Sequence, residues 1–313
     1  MTRAYPDRVV TEAQTHFDVE IREESTPLKV GQMRGALALY DGIMPTLGDH
    51  FSAKVFDDAE NPRCKVLANF GVGFNHIDAV AARAAGVTVT NTPGAVTDAT
   101  ADIALTLMLM TTRRAGEGER LVRSGEWTGW HPSQMLGLHM SGKTVGIVGM
   151  GRIGQAIGRR CHFGFGMQVI YHNRSAKELA FPATRAESLK SLAQTADVIV
   201  IAVPGGSDTH HLIGKSTFGA MKPGAFLVNV ARGDVVDEAA LIKALESGDI
   251  AGAGLDVYEH EPKVPDALRA MENVTLLPHL GTAALEVREI MGLMAVENLR
   301  AALAGEIPPN MVN

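Results

Sequence analysis

The 313 residues contain only two cysteines, Cys64 and Cys161. That excludes a disulfide-rich secreted scaffold and fits a reducing compartment, so a cytoplasmic location is expected. Basic residues are outnumbered, 29 against 35 acidic, for a net charge of −6. A general affinity for nucleic acid or for anionic membranes is therefore not expected. Long apolar runs are missing as well. Stretches such as 198–203 fall far short of the about 20 residues that span a bilayer, and residues 1–8 lack the apolar core of a secretion signal. Aromatic residues are sparse at 5%. No internal repeat or low-complexity tract is present, and no metal site is expected. What remains is a chain that is 46% hydrophobic and 20% charged, with 33 glycines. Such a chain buries a core readily, and wholesale disorder is excluded. At about 100–200 residues per domain, its length implies two domains or one large α/β domain.

Aliphatic strand-like runs alternate with helix-like segments, the pattern of a parallel α/β sheet. In the first third, strands are predicted at 35–44 (GALALYDGIM), 64–70 and 86–90, with a helix-compatible stretch at 80–85. Asn91-Thr-Pro-Gly94 is a turn or linker signal. A helix follows, capped by Thr97 or Asp98 and apolar nearly all round to Met110, so it is predicted to be buried on several sides. Residues 125–138 are irregular and hold both tryptophans, Trp127 and Trp130. They read either as a surface loop with packed aromatics or as a subunit interface. From Lys143 the pattern is regular. Strands are predicted at 144–148, 168–171, 197–203, 225–230, 251–257 and 274–277, and helices at 152–163, 188–194, 215–221 and 238–247, with a long final helix at 283–303. Six strands with intervening crossovers match a doubly wound dinucleotide fold.

The strand at 144–148 runs into GMGRIG, residues 149–154, and then a helix. Each glycine has a physical task there. Gly149 makes the tight turn, Gly151 admits a pyrophosphate to the backbone, and Gly154 lets helix and strand pack closely. The helix start, with Arg152 and Ile153, offers free N–H groups and a favourable dipole to phosphates. A second glycine pair, Gly71-Val72-Gly73, has His76 where the third glycine would stand. It suits a small carboxylate held by backbone N–H groups better than a pyrophosphate. At the end of the strand 168–171, an NAD site usually has an acid for the ribose hydroxyl. This chain has His172-Asn173-Arg174-Ser175, and its first carboxylate is Glu178. Arg174, assisted by Ser175 and Asn173, can pair with a 2′-phosphate, so NADP(H) is expected over NAD(H). On the other reading, Arg174 is a solvated surface charge and NAD(H) serves equally well.

Three later segments carry a resemblance: VNVARGDVVDE at 228–238, GLDVYEHEP at 254–262 and LPHLG at 277–281. With the GMGRIG loop, in this order and spacing, the chain resembles the D-isomer-specific 2-hydroxyacid dehydrogenases over nearly its whole length. Within them it looks most similar to the glyoxylate/hydroxypyruvate reductases. The resemblance implies an α/β protein of two Rossmann-like domains. A doubly wound cofactor domain, 98–282, is inserted into a smaller flavodoxin-like substrate domain formed by 1–97 and 283–313. It implies hydride transfer between NADPH and a small 2-oxo acid, giving a D-2-hydroxy acid. His279 would then be the proton donor, since imidazole titrates near neutrality. Glu261 would orient its ring, with Glu259 as the alternative carboxylate. Arg232 would bind the substrate carboxylate and polarise its carbonyl. Val72 and Gly73 would hold the carboxylate, and Met44 would be an apolar wall or a plain core methionine. Thr97, Val203, Pro204, Ala231, Asp256 and Gly281 would line the nicotinamide half, with Asp256 accepting from the carboxamide. Phe74-Asn75-His76 and Val203-Pro-Gly-Gly206 depart from the commoner family variants. His131, His139, His210, His211 and His260 are expected to be surface or packing histidines. A homodimer through about 98–140 is also expected. Alternatives are an NAD-linked dehydrogenase with another substrate, or a cofactor-sensing binding protein without catalysis.

Overall fold

The computed structural model describes residues 1–57 and 61–313. The chain forms two compact units, Met1–Val96 with Ala283–Asn313, and Thr97–Thr282.

The smaller unit begins with α1 (Asp7–Gln14), α2 (Val30–Leu39), β1 (Gly42–Ile43) and α3 (Ala53–Phe56), followed by β2 (Val66–Ala68), α4 (Ala79–Ala84) and β3 (Thr88–Thr90). Its strands form a three-stranded parallel sheet, order β1-β2-β3, with Gly42 opposite Val66 and Val66 opposite Thr88. The strand predicted at 35–44 is corrected here, because residues 35–39 belong to α2 and only Gly42 and Ile43 pair in the sheet. Met33 and Leu37, four apart, are both buried and set the helical face. The Lys29 N–H donates to Gln32 Oε1 at 2.9 Å and starts the helix. A short apolar run fits either period, and here the burial of one helical face decides.

The larger unit holds α5 (Thr97–Thr112), α6 (Ala115–Arg123), β4 (Thr144–Val148), α7 (Arg152–Phe165), β5 (Gln168–His172), β6 (Thr184–Arg185), α8 (Leu189–Thr195) and β7 (Val198–Ile201). It continues with α9 (Lys215–Phe218), β8 (Phe226–Asn229), α10 (Glu238–Glu246), β9 (Gly252–Leu255), α11 (Asp266–Ala270) and β10 (Val274–Leu276). All seven strands are parallel, in the order β10-β9-β8-β7-β4-β5-β6. The order reverses beside β4, which is the switch point of a doubly wound sheet. Strands β7, β8 and β9 are buried along their whole length. Strands covered by helices on both faces are apolar at nearly every position, not at alternate ones, with Asn229 at the end of β8 the polar exception, and such runs are legible in the sequence. Thr97 is the first residue of α5, and the helix buries Ala101, Ala104, Leu107 and Met108.

The last helix, α12 (Leu285–Leu303), returns to the smaller unit and buries Met291, Ala295, Val296 and Leu299. There it shares a core with Tyr5, Val9, Met44 and Val66. Among the described residues no helix is long and apolar enough to cross a membrane.

Candidate active site

The carboxyl ends of β4, β5, β8, β9 and β10 carry every candidate residue of the larger unit except Thr97, Val203 and Pro204, and those ends are where open parallel sheets bind ligands. After β4, Gly149 takes φ +98°, and a β-carbon there would lie 2.6 Å from the Ala202 carbonyl oxygen. A β-carbon on Gly154 would lie 2.0 Å from the Gly149 oxygen, so only glycine lets α7 begin this close to the loop. Gly151 differs, because a β-carbon there would meet no protein atom within 4 Å. Its bareness therefore serves the space above the loop, not protein packing. That space faces the first turn of α7, where Arg152 is exposed and Ile153 half-buried. Free N–H groups and a helix dipole at such a place fit a pyrophosphate.

At the end of β5, Asn173 Oδ1 accepts from the Met150 N–H at 3.2 Å, and Asn173 Nδ2 donates to the Ser175 carbonyl at 2.9 Å. Asn173 thus ties this turn to the glycine loop. Arg174 reaches outward with 95% of its side chain exposed, 3.9 Å from Asp208. Arg185 on β6 donates to the carbonyls of Asn173 and Arg174, at 3.0 and 3.1 Å. Sequence reading missed this second cation, because both residues of β6 are exposed and leave no strand pattern.

After β8 the chain turns sharply to present Arg232. Buried Asn229 organises the turn: its Oδ1 accepts from the Ala231 N–H at 3.0 Å and its Nδ2 donates to the Arg232 carbonyl at 2.8 Å. Arg232 Nη1 donates to the Ala231 carbonyl at 2.7 Å. Burial lowers the Arg232 pKa, opposed by the charges of Glu261 and Asp234. Gly233 follows, and a β-carbon there would sit 1.8 Å from the Tyr258 carbonyl carbon. The Arg232 turn therefore lies against the backbone of the segment that leads to Glu261.

Beyond β9 and β10, His279 Nδ1 and Glu261 Oε2 are 2.9 Å apart, with side chains 27% and 35% exposed. Such a pair is screened from bulk water yet open to a small molecule. Glu261 Oε1 also accepts from the Tyr258 N–H at 3.1 Å. Burial raises the Glu261 pKa, but the bond to His279, its charge, the Tyr258 N–H and Arg232 outweigh it, and the net shift is downward. Of the two glutamates it is Glu261 that meets His279, while Glu259 Oε1 lies 2.9 Å from His211 Nε2. His210, His211 and Glu259 bring their ligand atoms within 4.8 Å of one another, a grouping the sequence spacing did not suggest. His260 is exposed.

His279 takes φ +55°, which is uncommon for a residue with a side chain. Asp256 holds it there. The His279 N–H donates to the Asp256 carbonyl at 2.9 Å, and the Asp256 carboxylate accepts from the N–H groups of Leu280 and Gly281 at 2.6 and 2.8 Å. The carboxylate is buried, and that burial raises its pKa against these bonds. In this structure Asp256 fastens the histidine loop, a task that its position at a strand end did not reveal. The Gly281 carbonyl in turn accepts from Thr100 Oγ1 at 3.1 Å. Val203 is half-buried against the glycine loop, Pro204 is exposed and Ala231 is buried.

In the smaller unit, Val72 and Gly73 lie half-buried in the loop after β2. Asn69 Nδ2 donates to the carbonyls of Gly71 and Gly73, and Asn91 Nδ2 to that of Val72, at 2.9–3.0 Å. The loop is thus shaped through its carbonyls. Met44 is only 2% exposed and packs within the core of its unit.

Comparison with known proteins agrees with this architecture. The sequence profile of the D-isomer specific 2-hydroxyacid dehydrogenase family, NAD binding domain, matches residues 105–281. A glyoxylate reductase of Thermococcus kodakarensis is 44% identical over 319 aligned positions, covering 100% of this chain and 95% of that protein. A crystal structure of a Thermus thermophilus protein superposes with a TM-score of 0.92 at 42% identity, covering 100% of this chain and 98% of that one. The NADPH-dependent glyoxylate/hydroxypyruvate reductase of Sinorhizobium meliloti, in complex with NADP and malonate, superposes with a TM-score of 0.88 at 35% identity, covering 99% of this chain and 95% of that one. The chain belongs to the D-isomer specific 2-hydroxyacid dehydrogenase family of oxidoreductases.

Proposed function

We propose that this protein reduces small 2-oxo acids, glyoxylate and hydroxypyruvate among them, to D-2-hydroxy acids with NADPH as the hydride donor. One observation carries the reading. A histidine and a carboxylate 2.9 Å apart stand with an arginine turn at the carboxyl ends of adjacent parallel strands, in the unit that also bears the glycine loop. The relatives named glyoxylate reductase support the substrate class.

The bound cofactor supplies a hydride to the carbonyl carbon, and the rest is the work of side chains. Gly149, Gly151 and Gly154, with the first turn of α7 at Arg152 and Ile153, hold its pyrophosphate. Thr97, Val203, Pro204, Ala231, Asp256 and Gly281 surround the nicotinamide half. Arg232 receives the substrate carboxylate and carbonyl oxygen through its planar fork of donors and stabilises the developing oxyanion. Val72 and Gly73 of the smaller unit offer N–H groups to the carboxylate. His279 gives its Nε2 proton to the carbonyl oxygen. Glu261, bonded to Nδ1, fixes the ring and favours the imidazolium from which the proton comes.

Cofactor choice rests with Arg174 and Ser175, with Arg185 as a second cation, while Asn173 is engaged in holding the turn. A steady-state panel of 2-oxo acids with NADPH and NADH tests the whole reading. NADPH oxidation with glyoxylate or hydroxypyruvate is expected, and a chain inert toward every small 2-oxo acid with both cofactors refutes it.

The protein is also proposed to act as a homodimer. Helix α6 buries none of its residues, and Leu109, Val122, Trp127, Trp130 and Leu136 are exposed along the same stretch of chain. An apolar surface of this kind marks an interface. Sedimentation as a monomer at micromolar concentration would contradict it.

A further inference from the structure

His210, His211 and Glu259 lie in the larger unit, outside the His279–Glu261 pair. Among the described residues no other three histidine, cysteine or carboxylate side chains bring their ligand atoms this close together. The histidines belong to the loop after β7 and the glutamate to the segment after β9. Both are tied to the stretch of chain that follows Arg232. The His211 N–H donates to the Asp234 carbonyl at 2.8 Å, and the Ile213 N–H to that of Val235 at 3.0 Å. The Glu259 N–H donates at 2.9 Å to Oε1 of Glu238, a buried residue. Within the loop, Thr209 Oγ1 donates to the Pro204 carbonyl at 2.7 Å. The three side chains are therefore presented by anchored backbone on both sides.

Consecutive side chains of an extended chain point to opposite sides, but His211 takes φ +50°. The two imidazoles lie together instead, stacked with centroids 4.0 Å apart and 25° between their planes. His211 Nε2 stands 2.9 Å from Glu259 Oε1, with the two side chains 36% and 19% exposed. Among the described residues neither nitrogen of His210 meets a hydrogen-bond partner, so its neutral ring keeps a free lone pair. All three ligand atoms fall within 4.8 Å of one another. In a tetrahedral zinc site, with bonds of about 2.0–2.2 Å, neighbouring ligand atoms stand about 3.3–3.5 Å apart. His211 and Glu259 would open by only about half an ångström to admit the ion. His210, which is exposed, closes the remaining gap by turning its side chain. Two imidazoles and one carboxylate suit zinc and its transition-metal neighbours, whereas magnesium and calcium take oxygen donors. Three protein ligands leave the fourth position to water on the open side.

We propose that His210, His211 and Glu259 bind one divalent transition-metal ion of the zinc class, and that the ion cross-links the loop after β7 to the segment leading to Glu261. The ion takes no part in hydride or proton transfer, and the site is independent of which 2-oxo acid the protein reduces. Its effect is mechanical. Pro204 begins the loop that the ion pins, and Glu261 is two residues beyond the glutamate that it binds.

The test uses the chelator-treated 313-residue chain, with zinc as the probe and magnesium as the control. Equilibrium dialysis should find one zinc per chain and no magnesium. His210→Ala and Glu259→Gln should each weaken zinc binding about tenfold or more, and His279→Ala should leave it unchanged. His210 is exposed, so its replacement should spare the fold and the Tm of the zinc-free chain. Zinc at about a hundred times its Kd should raise the Tm of the wild-type chain by roughly 5 °C. It should also slow amide exchange at residues 209–211 and 258–260 by about tenfold or more. Neither effect should appear in His210→Ala. Zinc binding that survives undiminished in His210→Ala or Glu259→Gln overturns the proposal, and so does a chain that takes up no zinc at millimolar concentration. Binding lost in His279→Ala overturns it too, by assigning the ion to the His279–Glu261 pair. Zinc that binds and leaves exchange in both segments unchanged refutes the cross-link.

Discussion

Two places in the larger unit hold cations proposed to touch ligands, and they are built in opposite ways. The turn bearing Arg232 and the loop bearing His279 rest on buried polar side chains, Asn229 and Asp256, whose bonds to backbone groups are 2.6–3.0 Å long. The turn bearing Arg174 is at the surface, and the arginine's ion pair with Asp208, at 3.9 Å between exposed side chains, contributes little. The difference fits the task proposed for each place. Proton transfer and oxyanion binding demand atoms fixed to a fraction of an ångström, and buried hydrogen bonds supply that rigidity. Discrimination between a ribose hydroxyl and a phosphate needs only net charge near a solvated group. The first region should therefore couple catalysis to folding, and the second should change selectivity without touching stability.

The largest effect is expected at His279. His279→Ala should lower kcat by about 10²–10⁴-fold, the usual contribution of a positioned acid, with an unchanged far-UV spectrum. Retention of more than a tenth of wild-type kcat would remove His279 from the mechanism. Next comes Gly233→Ala. The added methyl would overlap the Tyr258 carbonyl carbon, so the Arg232 turn and the Glu261 segment must separate. A cost of about 3 kcal/mol is expected, at the upper end for overpacking, together with a fall in kcat/KM. A variant that melts like wild type would break the link between the rigid region and folding.

The same contrast explains which features were legible in the residues. The larger sheet could be read strand by strand, because double-sided burial writes continuous aliphatic runs into β7, β8 and β9. Helix α6, with no buried residue, and β6, with two exposed ones, carry no such imprint and were missed. In the smaller unit, residues 35–39 were misread because five apolar residues cannot distinguish the two periods. At the site, the positions of His279, Arg232 and the glycine loop directly after strands were legible, and the chemistry proposed for them rests on their residue types. The supports did not announce themselves. Asp256 grips backbone groups 24 and 25 positions away, and Asn229 acts through a turn whose shape no local pattern states. Nor could spacing alone choose between Glu259 and Glu261, two residues apart, since only the folded backbone shows which of them meets His279.

On the exposed side, Arg174→Asp should shift the ratio of kcat/KM for NADPH over NADH by about tenfold or more toward NADH, through lost pairing and new repulsion. Its Tm should stay within about 1 °C of wild type, as for other surface substitutions. An unchanged ratio would transfer selection to Arg185, whose contacts with the same turn make Arg185→Ala the next variant to measure.

The smallest effect separates the two regions by pH. Glu261 has a folded pKa below that of a free glutamate, because its bonds to His279 and Tyr258 and the Arg232 charge outweigh the cost of burial. A depressed carboxylate stabilises the fold at pH values above its unfolded pKa, about 4.3, and that contribution is lost as pH falls through the lower, folded value. Wild type should therefore melt above Glu261→Gln at neutral pH, and the gap should close progressively below about pH 4.3. Arg174→Ala should track wild type across the whole range, because nothing buried depends on its charge. Tm measured from pH 3 to 7 for the three proteins distinguishes the cases. A constant gap for Glu261→Gln would mean that its carboxylate acts on stability through shape and not through charge, and the proposed division between a rigid charged site and a loose selector would lose its electrostatic basis.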